Sequence, residues 1–494
     1  MPQTPADAPD SLFALGERLF SDWIVSPLDA VIFFDLAFWD DATGNAIVLP
    51  AVVAWLVAGA IFFTLRFRFI NLTGFRHGID CVRGRYSEDD DVGEVSHFQA
   101  LAAALSATVG LGNIAGVAFA LGIGGPGATF WMIVGGVIGM TSKFAECSLA
   151  QRYRRIDENG HVTGGPMLYL RDGFAEKGWA RSGRVLSIVF AVMCIGASFG
   201  GGNMFQANQS FKLLAQEVPA LASGTGQIAV GLALVLLVGL VIVGGIRRIG
   251  EVASVLVPAM CLIYMGSGLV ILATHASAIP DALATIVREA FSFEAGLGGF
   301  VGTLVQGFRR AAFSNEAGVG SAAIAHSAAR TLEPIREGYV ALLEPFIDTV
   351  LVCTTTALVI VVTGVLDDPE AGSGIALTAS AFARVFPDFP KVLTLIALLF
   401  AFSTMISWSY YGERAWIFLF GERTLLLYQI SFLGFTFGGV IFQNASVVLD
   451  FGDLMLLGMA FPNILGVVLL SDVIARDLDR YRARLAAGEF TPRR

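Results

Sequence analysis

Charge is scarce in this 494-residue sequence: Asp, Glu, Lys and Arg make up 15%, whereas hydrophobic residues reach 55% and the mean hydropathy is +0.70. Soluble domains carry about 25% charged residues, so an ordinary soluble protein is excluded. Cysteine is scarce too. Cys81, Cys147, Cys194, Cys261 and Cys353 form no CxxC pair, and four of them fall in apolar runs. That pattern excludes a disulfide framework and leaves buried free thiols. No GxxxxGK[ST] loop and no GxSxG elbow occurs, so ATP-driven pumping and serine hydrolysis lack their residues. The first twenty residues have no basic stretch ahead of an apolar core, and no cleavable signal peptide is expected. The net charge of −9 reflects acids in loops such as 87–94 and 366–370. These read as solvated, and no nucleic-acid partner is expected.

Long apolar runs are abundant instead. About 20 helical residues rise the roughly 30 Å of a hydrocarbon core, and eleven such spans are predicted: 47–66, 97–121, 127–150, 185–211, 226–244, 252–273, 297–325, 339–363, 390–411, 425–443 and 449–471. The expected fold class is an all-α polytopic membrane protein in a lipid bilayer. Segment 23–39 holds Pro27, Asp29 and Asp35 and reads as an interfacial helix. Basic residues favour cytoplasmic loops. They cluster in alternate loops: Arg66, Arg68, Arg76, Arg83 and Arg85; Arg152, Arg154 and Arg155; Arg247 and Arg248; Arg330 and Arg336; and a tail with Arg476, Arg480, Arg482 and Arg484. The opposite loops hold few, such as Lys212, Arg288 and Arg384. This alternation places the N-terminus outside and the C-terminus in the cytoplasm. Compact loops without appended domains suit a bacterial inner, or plasma, membrane.

Two spans are interrupted. Ser106 to Trp131 carries several glycines and Asn113 in mid-span, and FSNEAGVGS (Phe313–Ser321) breaks the seventh span. A break in lipid frees backbone groups that cost several kcal/mol each unless protein, water or a ligand satisfies them. Paired interruptions point to a transporter binding site. The breaks lie five spans apart and so cross the membrane in opposite directions, which marks an inverted five-plus-five repeat. The implied division is an extracytoplasmic segment (1–45), an added first span and loop (46–95), two repeats (96–273 and 274–445), and a last span with a basic tail (446–494).

Around the first break, the carbonyls freed in VGLGN can coordinate a hard cation, while amides at a helix start can hold a carboxylate. Gly110, Gly112 and Asn113 read as site residues; Gly116 and Gly139 read as packing positions. Gln206 is a polar side chain in an apolar run, facing either a neighbouring helix or substrate, and Asn203 and Asn208 read as structural. In the seventh span Phe308 reads as a pocket wall and Ser314 and Asn315 as polar contacts. Arg309, Arg310 and Glu316 read as a gate or structural pair. Thr404 and Trp408 are one turn apart and share a face, suiting a hydroxyl for the ion or amino group and an indole that caps a small pocket, or else an interfacial anchor. Glu146, Glu344 and Asp348 read as structural, with a proton site as the alternative for the last two. His326 reads as a surface or interhelical histidine.

SATVGLGNIAGVAFALGIGGPGATFWM, RRAAFSNEAGVGSAAIAHSAA, LLEPFIDTVLVCTTTALVI and FAFSTMISWSYYGERA resemble the alanine or glycine:cation (sodium) symporter family, of the amino acid-polyamine-organocation type, from about Ser96 to Tyr411. VGLGN also resembles the first broken helix of the neurotransmitter:sodium symporters, which implies their LeuT-like inverted-repeat fold. By that resemblance the amides of Leu111 and Gly112 would take an amino acid carboxylate. The carbonyls of Ser106 and Val109 and the hydroxyls of Ser403 and Thr404 would surround a sodium ion, and Thr108 and Asn113 would serve a second cation. Many family members have threonine where this chain has Leu111, so backbone contacts are expected there.

The function expected is secondary active symport of alanine or glycine with sodium by alternating access, with no enzyme activity and no organic cofactor. A proton-coupled version would use Glu316 or Asp348 as carrier. A channel or a membrane-embedded enzyme has less support, because neither a nucleophile–base pair nor a metal cluster can be read.

Overall fold

The computed structural model of the chain describes residues 21–37, 48–292, 296–442, 445–490 and 492. Besides short helices such as Phe75–Val82, the bundle is built from α1 (Ser26–Ile32), α2 (Ala51–Arg66), α3 (His97–Thr108), α4 (Ala115–Gly124), α5 (Ala128–Arg152), α6 (Ala180–Phe199), α7 (Phe205–Glu217), α8 (Gly224–Ile242), α9 (Gly245–Thr274), α10 (Ile279–Ala290), α11 (Gly296–Asn315), α12 (Ala322–His326), α13 (Pro334–Ala341), α14 (Thr354–Val362), α15 (Ile375–Ala383), α16 (Phe389–Phe420), α17 (Leu425–Ile441), α18 (Ala445–Gly458), α19 (Ala460–Leu469) and α20 (Ser471–Ala486). Widened turns at Gly200–Met204 and Phe346–Cys353 join α6 to α7 and lead into α14. A short antiparallel pair, Arg155–Ile156 with Val162–Thr163, follows α5.

Eight helices among the described residues are long and apolar enough to cross a bilayer, or nine with the bent pair α3–α4. All eleven predicted spans are helical, although residues 47 and 443 lie outside the described residues. α2 has only 16 residues, and α11 carries Arg309 and Arg310. α9 starts seven residues before the predicted span because Ile246, Ile249 and Gly250 are buried. α16 runs on to Phe420, its Tyr410 and Tyr411 buried and its Ser409 carbonyl accepting from Tyr428 at 2.9 Å. Tertiary packing extends both helices past their apolar runs.

The predicted interfacial segment is helical over residues 21–32, and its residues 38 and 39, like 1–20, lie outside the described residues. The Asp35 carboxylate accepts from the amides of Ala37 (2.9 Å) and Leu49 (2.8 Å), so it closes a turn. The five cysteines are free thiols. Asn203 and Asn208 bond α17 and the residue after it: Asn203 donates to the Phe432 carbonyl at 2.7 Å, and Asn208 to Gly439 and Phe442 at 3.1 and 2.7 Å.

α5 is the scaffold at the centre, with α11, α12 and α13 packed along it. The basic loops collect at one end of the bundle. There the segment entering α3 is stitched to the segment leaving α12: the Glu94 amide donates to the Ala328 carbonyl (2.8 Å) and the Arg330 amide to the Val95 carbonyl (2.8 Å). Arg154 donates to the carbonyls of Ser327, Ala329, Val92 and Thr331 at 2.9, 2.5, 2.8 and 2.6 Å. Gln151 adds bonds to the carbonyls of His326 (2.5 Å) and Ala329 (3.2 Å). Arg336 pairs with Glu88 (3.1 Å) and Asp91 (3.4 Å). Removing a partner from a buried acceptor costs about 1–3 kcal/mol. Arg154→Ala is therefore expected to raise amide hydrogen exchange at residues 92–95 and 327–331 by about tenfold or more, while α17 is unchanged.

Candidate functional site

The first break begins where α3 runs out of helical bonds. Ser96 and Gln99 form a reciprocal cap at its start, which fixes its register. After Thr108 the chain extends through Val109 and Gly110, makes a tight turn at Leu111–Asn113 and resumes as α4, bent by 59°. The Gly110 amide donates to Asn113 Oδ1 at 2.8 Å. A Cβ at Gly110 would stand 2.6 Å from Thr404 Oγ1, so only glycine lets α16 approach. In the second break Glu316 takes a left-handed conformation (φ 54°), followed by Gly318 and Gly320 at φ 84° and 93°. A non-glycine residue there is strained by about 1–3 kcal/mol and persists where surrounding bonds hold it. Glu316 is held by Trp408 Nε1, 3.2 Å from Oε1, and by the Ser321 hydroxyl on Oε2.

The two breaks meet through Asn113. Its Nδ2 donates to Asp348 Oδ1 (2.5 Å) and Ser314 Oγ (3.0 Å), and Asp348 Oδ2 accepts from Ser314 Oγ (2.7 Å) and Thr349 Oγ1 (2.8 Å). Thr356 and Thr378 hydroxyls cap the Asn113 and Ile114 carbonyls at 2.9 and 3.1 Å. The Gly110 amide and the Asn113 and Ile114 carbonyls, freed by the first break, are thus bonded inside the protein.

Beside this junction lies a small enclosed cavity of about 20 Å³, room for a water or two. Thr108, Gly110, Gly112, Gln206, Thr404 and Trp408 line it together, as do Phe313, Glu316, Leu456 and the Gly201–Gly202 turn. Gln206 Oε1 and Thr404 Oγ1 are buried there with no hydrogen-bond partner among the described residues. An unpaired buried acceptor costs free energy and calls for a donor from a ligand or from water.

Other expected residues stand elsewhere. Phe308 does not wall this cavity. It faces Trp131, ring centroids 6.0 Å apart, and a separate cavity lined by Leu56 and Gly139. Phe313 takes the wall because five residues turn a helix by about 140°. Leu111 is buried, and its side chain joins the hydrophobic core. Asn113 and Ser314 belong to the Asp348 junction rather than the cavity wall. Ser106 and Ser403 do converge: Ser106 Oγ donates to the Ser403 carbonyl at 2.7 Å, and Ser403 Oγ lies 3.4 Å from the Ser106 carbonyl. Val109 is fully buried on the same strand of chain. Asn315 bonds Thr349 (2.8 Å) away from the cavity. Gly139 is a packing position, where a Cβ would meet Ala317 at 2.9 Å, whereas one at Gly116 would have room.

The arginines separate from Glu316. Arg309 pairs with Asp453 at 2.9 Å and stacks on Phe33, its guanidinium 4.6 Å from the ring centre; Arg310 lies 3.9 Å from Asp453 and 5.6 Å from the Phe313 ring. Sequence reasoning missed Leu456 and the Gly200–Gly202 turn, for which the triple glycine was the available signal. Asp348, expected to be structural, receives hydrogen bonds from both breaks.

Residues 36–493 match the family described as the sodium:alanine symporter family. The chain belongs to that family. It is 39% identical over 431 residues to the sodium/alanine symporter AgcS of Methanococcus maripaludis, covering 87% of this chain and 93% of that protein. It is 35% identical over 443 residues to the probable sodium/glutamine symporter GlnT of Bacillus subtilis, with 89% of each covered. MhsT, crystallised with L-phenylalanine, is similar at 14% identity and a TM-score of 0.47, over 77% of this chain and 98% of that one. As a member of the sodium:alanine symporter family this chain is a multi-pass membrane transporter and not an enzyme, from a family of sodium-coupled amino acid symporters. In this symporter Gly110→Ala forces a Cβ against Thr404. Sodium-driven amino acid uptake is expected to fall by about tenfold or more, a barrier of at least 1.4 kcal/mol, with the membrane level of the protein unchanged on immunoblots.

Proposed function

We propose that this symporter imports a small neutral amino acid, alanine or glycine, with sodium across a bacterial inner membrane, its N-terminus outside and its C-terminus in the cytoplasm. The observation that carries the reading is the pair of unpartnered buried acceptors, Gln206 Oε1 and Thr404 Oγ1, facing one cavity with the start of a half-helix. The first amides of a helix lack intrahelical partners and attract anions, so those of Leu111 and Gly112 receive the substrate carboxylate. Gln206, Thr404 and the Glu316 carboxylate then take the ammonium group. Phe313, Trp408 and Leu456 line the same small cavity, which favours a hydrogen or methyl side chain.

One sodium ion sits between the carbonyls of Ser106 and Val109 and the hydroxyls of Ser403 and Thr404, an all-oxygen shell that suits a hard cation. A second cation uses Thr108 and Asn113, with negative charge supplied by the Asp348 carboxylate that Asn113 contacts. Residues 96–273 and 274–445 act as the two repeats, and the broken helices rock against the remaining scaffold. One sodium moving down about 100 mV and a tenfold gradient supplies about 2.3 and about 1.4 kcal/mol, enough for several-hundred-fold accumulation.

Labelled alanine in proteoliposomes tests this. Concentrative uptake is expected only with an inward sodium gradient, and glutamine in tenfold excess should compete poorly. Equal uptake without sodium, or uptake driven by a pH gradient alone, would favour the proton-coupled reading. Asp348→Asn keeps the size of the side chain and removes its charge. It is expected to raise the sodium concentration for half-maximal uptake by about tenfold or more, about 1.4 kcal/mol.

A further inference from the structure

A chain of buried ionisable groups runs through the stitched end of the bundle, apart from the cavity. Glu337 on α13 lies between two imidazoles. His97 Nδ1, in the first turn of α3, contacts one of its oxygens, and His326 Nδ1, the last residue of α12, contacts the other at 2.6 Å. His326 Nε2 lies 3.7 Å from Glu344 Oε2, Glu344 Oε1 accepts from Lys143 Nζ at 3.0 Å, and Lys143 lies 3.9 Å from Glu146. All six side chains are at most 3% exposed. A single carboxylate thereby ties the beginning of one broken helix to the end of the other.

The charges set the condition for this arrangement. Three carboxylates face one ammonium, so a proton on the His326 imidazole, which lies between Glu337 and Glu344, offsets buried negative charge. An uncompensated buried charge costs several kcal/mol. The neighbouring elements bring no replacement. Cys147 faces the cluster from α5, Cys81 from helix Phe75–Val82, and Glu316 from the second break. Arg154 approaches Glu337 but is already engaged by four carbonyls, and Arg336, the residue before Glu337, pairs with Glu88 and Asp91. His77 on the same short helix bonds Tyr481 instead, at 2.8 Å. His97 Nε2 and His326 Nε2 have no hydrogen-bond partner among the described residues.

We infer that His326, held between Glu337 and Glu344, is a proton-binding site whose occupancy holds the ends of both broken helices closed. Loss of this proton leaves added negative charge in an apolar interior, which repels Glu344 from Glu337 and loosens the bridge. By linkage, opening of this end releases the proton, and a rise in pH favours opening. At its steepest the opening equilibrium changes by about tenfold per pH unit for each proton released.

Hydrogen exchange of the full chain in lipid nanodiscs, without sodium or amino acid and corrected for intrinsic rates, tests the inference between pH 6 and 9. Protection of residues 93–108 and 322–331 is expected to fall by about tenfold or more across that range, while α17 keeps its protection. His326→Asn retains an N–H near the Nδ1 position and cannot titrate, so its profile should be flat. A flat wild-type profile, or an unchanged slope in His326→Asn, overturns the site. The wild-type profile alone decides the matter if that variant does not fold. Because no sodium or substrate is present, this result is independent of whether the transport reading holds.

Discussion

Asn113 and Asp348 hold the centre of this protein together. A helix broken inside an apolar bundle exposes amides and carbonyls that have no water to bond, and each break here is completed by residues from other helices. Asn113 closes its own turn through the Gly110 amide and reaches Ser314 and Asp348 across the bundle. Thr356 and Thr378 take the carbonyls left over on the α4 side. The breaks are therefore one shared structure, and any motion that separates them must replace several buried hydrogen bonds at once. That demand makes the junction two-state in character, since packed interiors switch between arrangements more readily than they deform.

Closures of different chemistry flank the cavity. Arg309 and Arg310 on α11 meet Asp453 on α18, with Phe33 stacked on Arg309. The stitched end instead relies on backbone bonds and on Arg154, whose guanidinium serves carbonyls from both segments. A guanidinium presents several donors in a fixed plane, so one side chain can register two pieces of chain. The buried cluster around Glu337 adds protonatable groups to this second closure. An ion pair between two helices can be broken by water from one side, whereas the stitched end must also shed backbone pairing.

The all-helical membrane fold was legible from apolar runs because a bilayer imposes a length on every crossing. The breaks were legible for the same reason: Gly and Asn in mid-span violate a rule that lipid enforces. Helix ends were less so. α9 and α16 extend beyond their apolar stretches because neighbours bury residues that a hydropathy scan scores as ordinary. At the site, Gly110, Gly112, Gln206, Thr404 and Trp408 could be singled out as glycine or polar and aromatic side chains in apolar runs, and they share one cavity. Phe308 and Phe313 could not be ranked, since the face that α11 turns inward depends on how it packs on α5. Leu456 gave no signal, because a leucine in an apolar helix is indistinguishable from core.

Composition and spacing by themselves determined that this chain crosses a membrane many times and is interrupted twice, because those properties follow from the solvent and from local backbone chemistry. The long motifs placed it beside the sodium-coupled amino acid symporters. Only the tertiary structure decided which groups are left without partners. Asp348 is satisfied by three neighbours, whereas Gln206 Oε1 and Thr404 Oγ1 face a cavity unpaired. It alone brought His97 and His326, more than two hundred residues apart, onto one carboxylate. Hydrogen bonding and charge compensation act over a few ångströms in space, and distance along the chain carries no record of them.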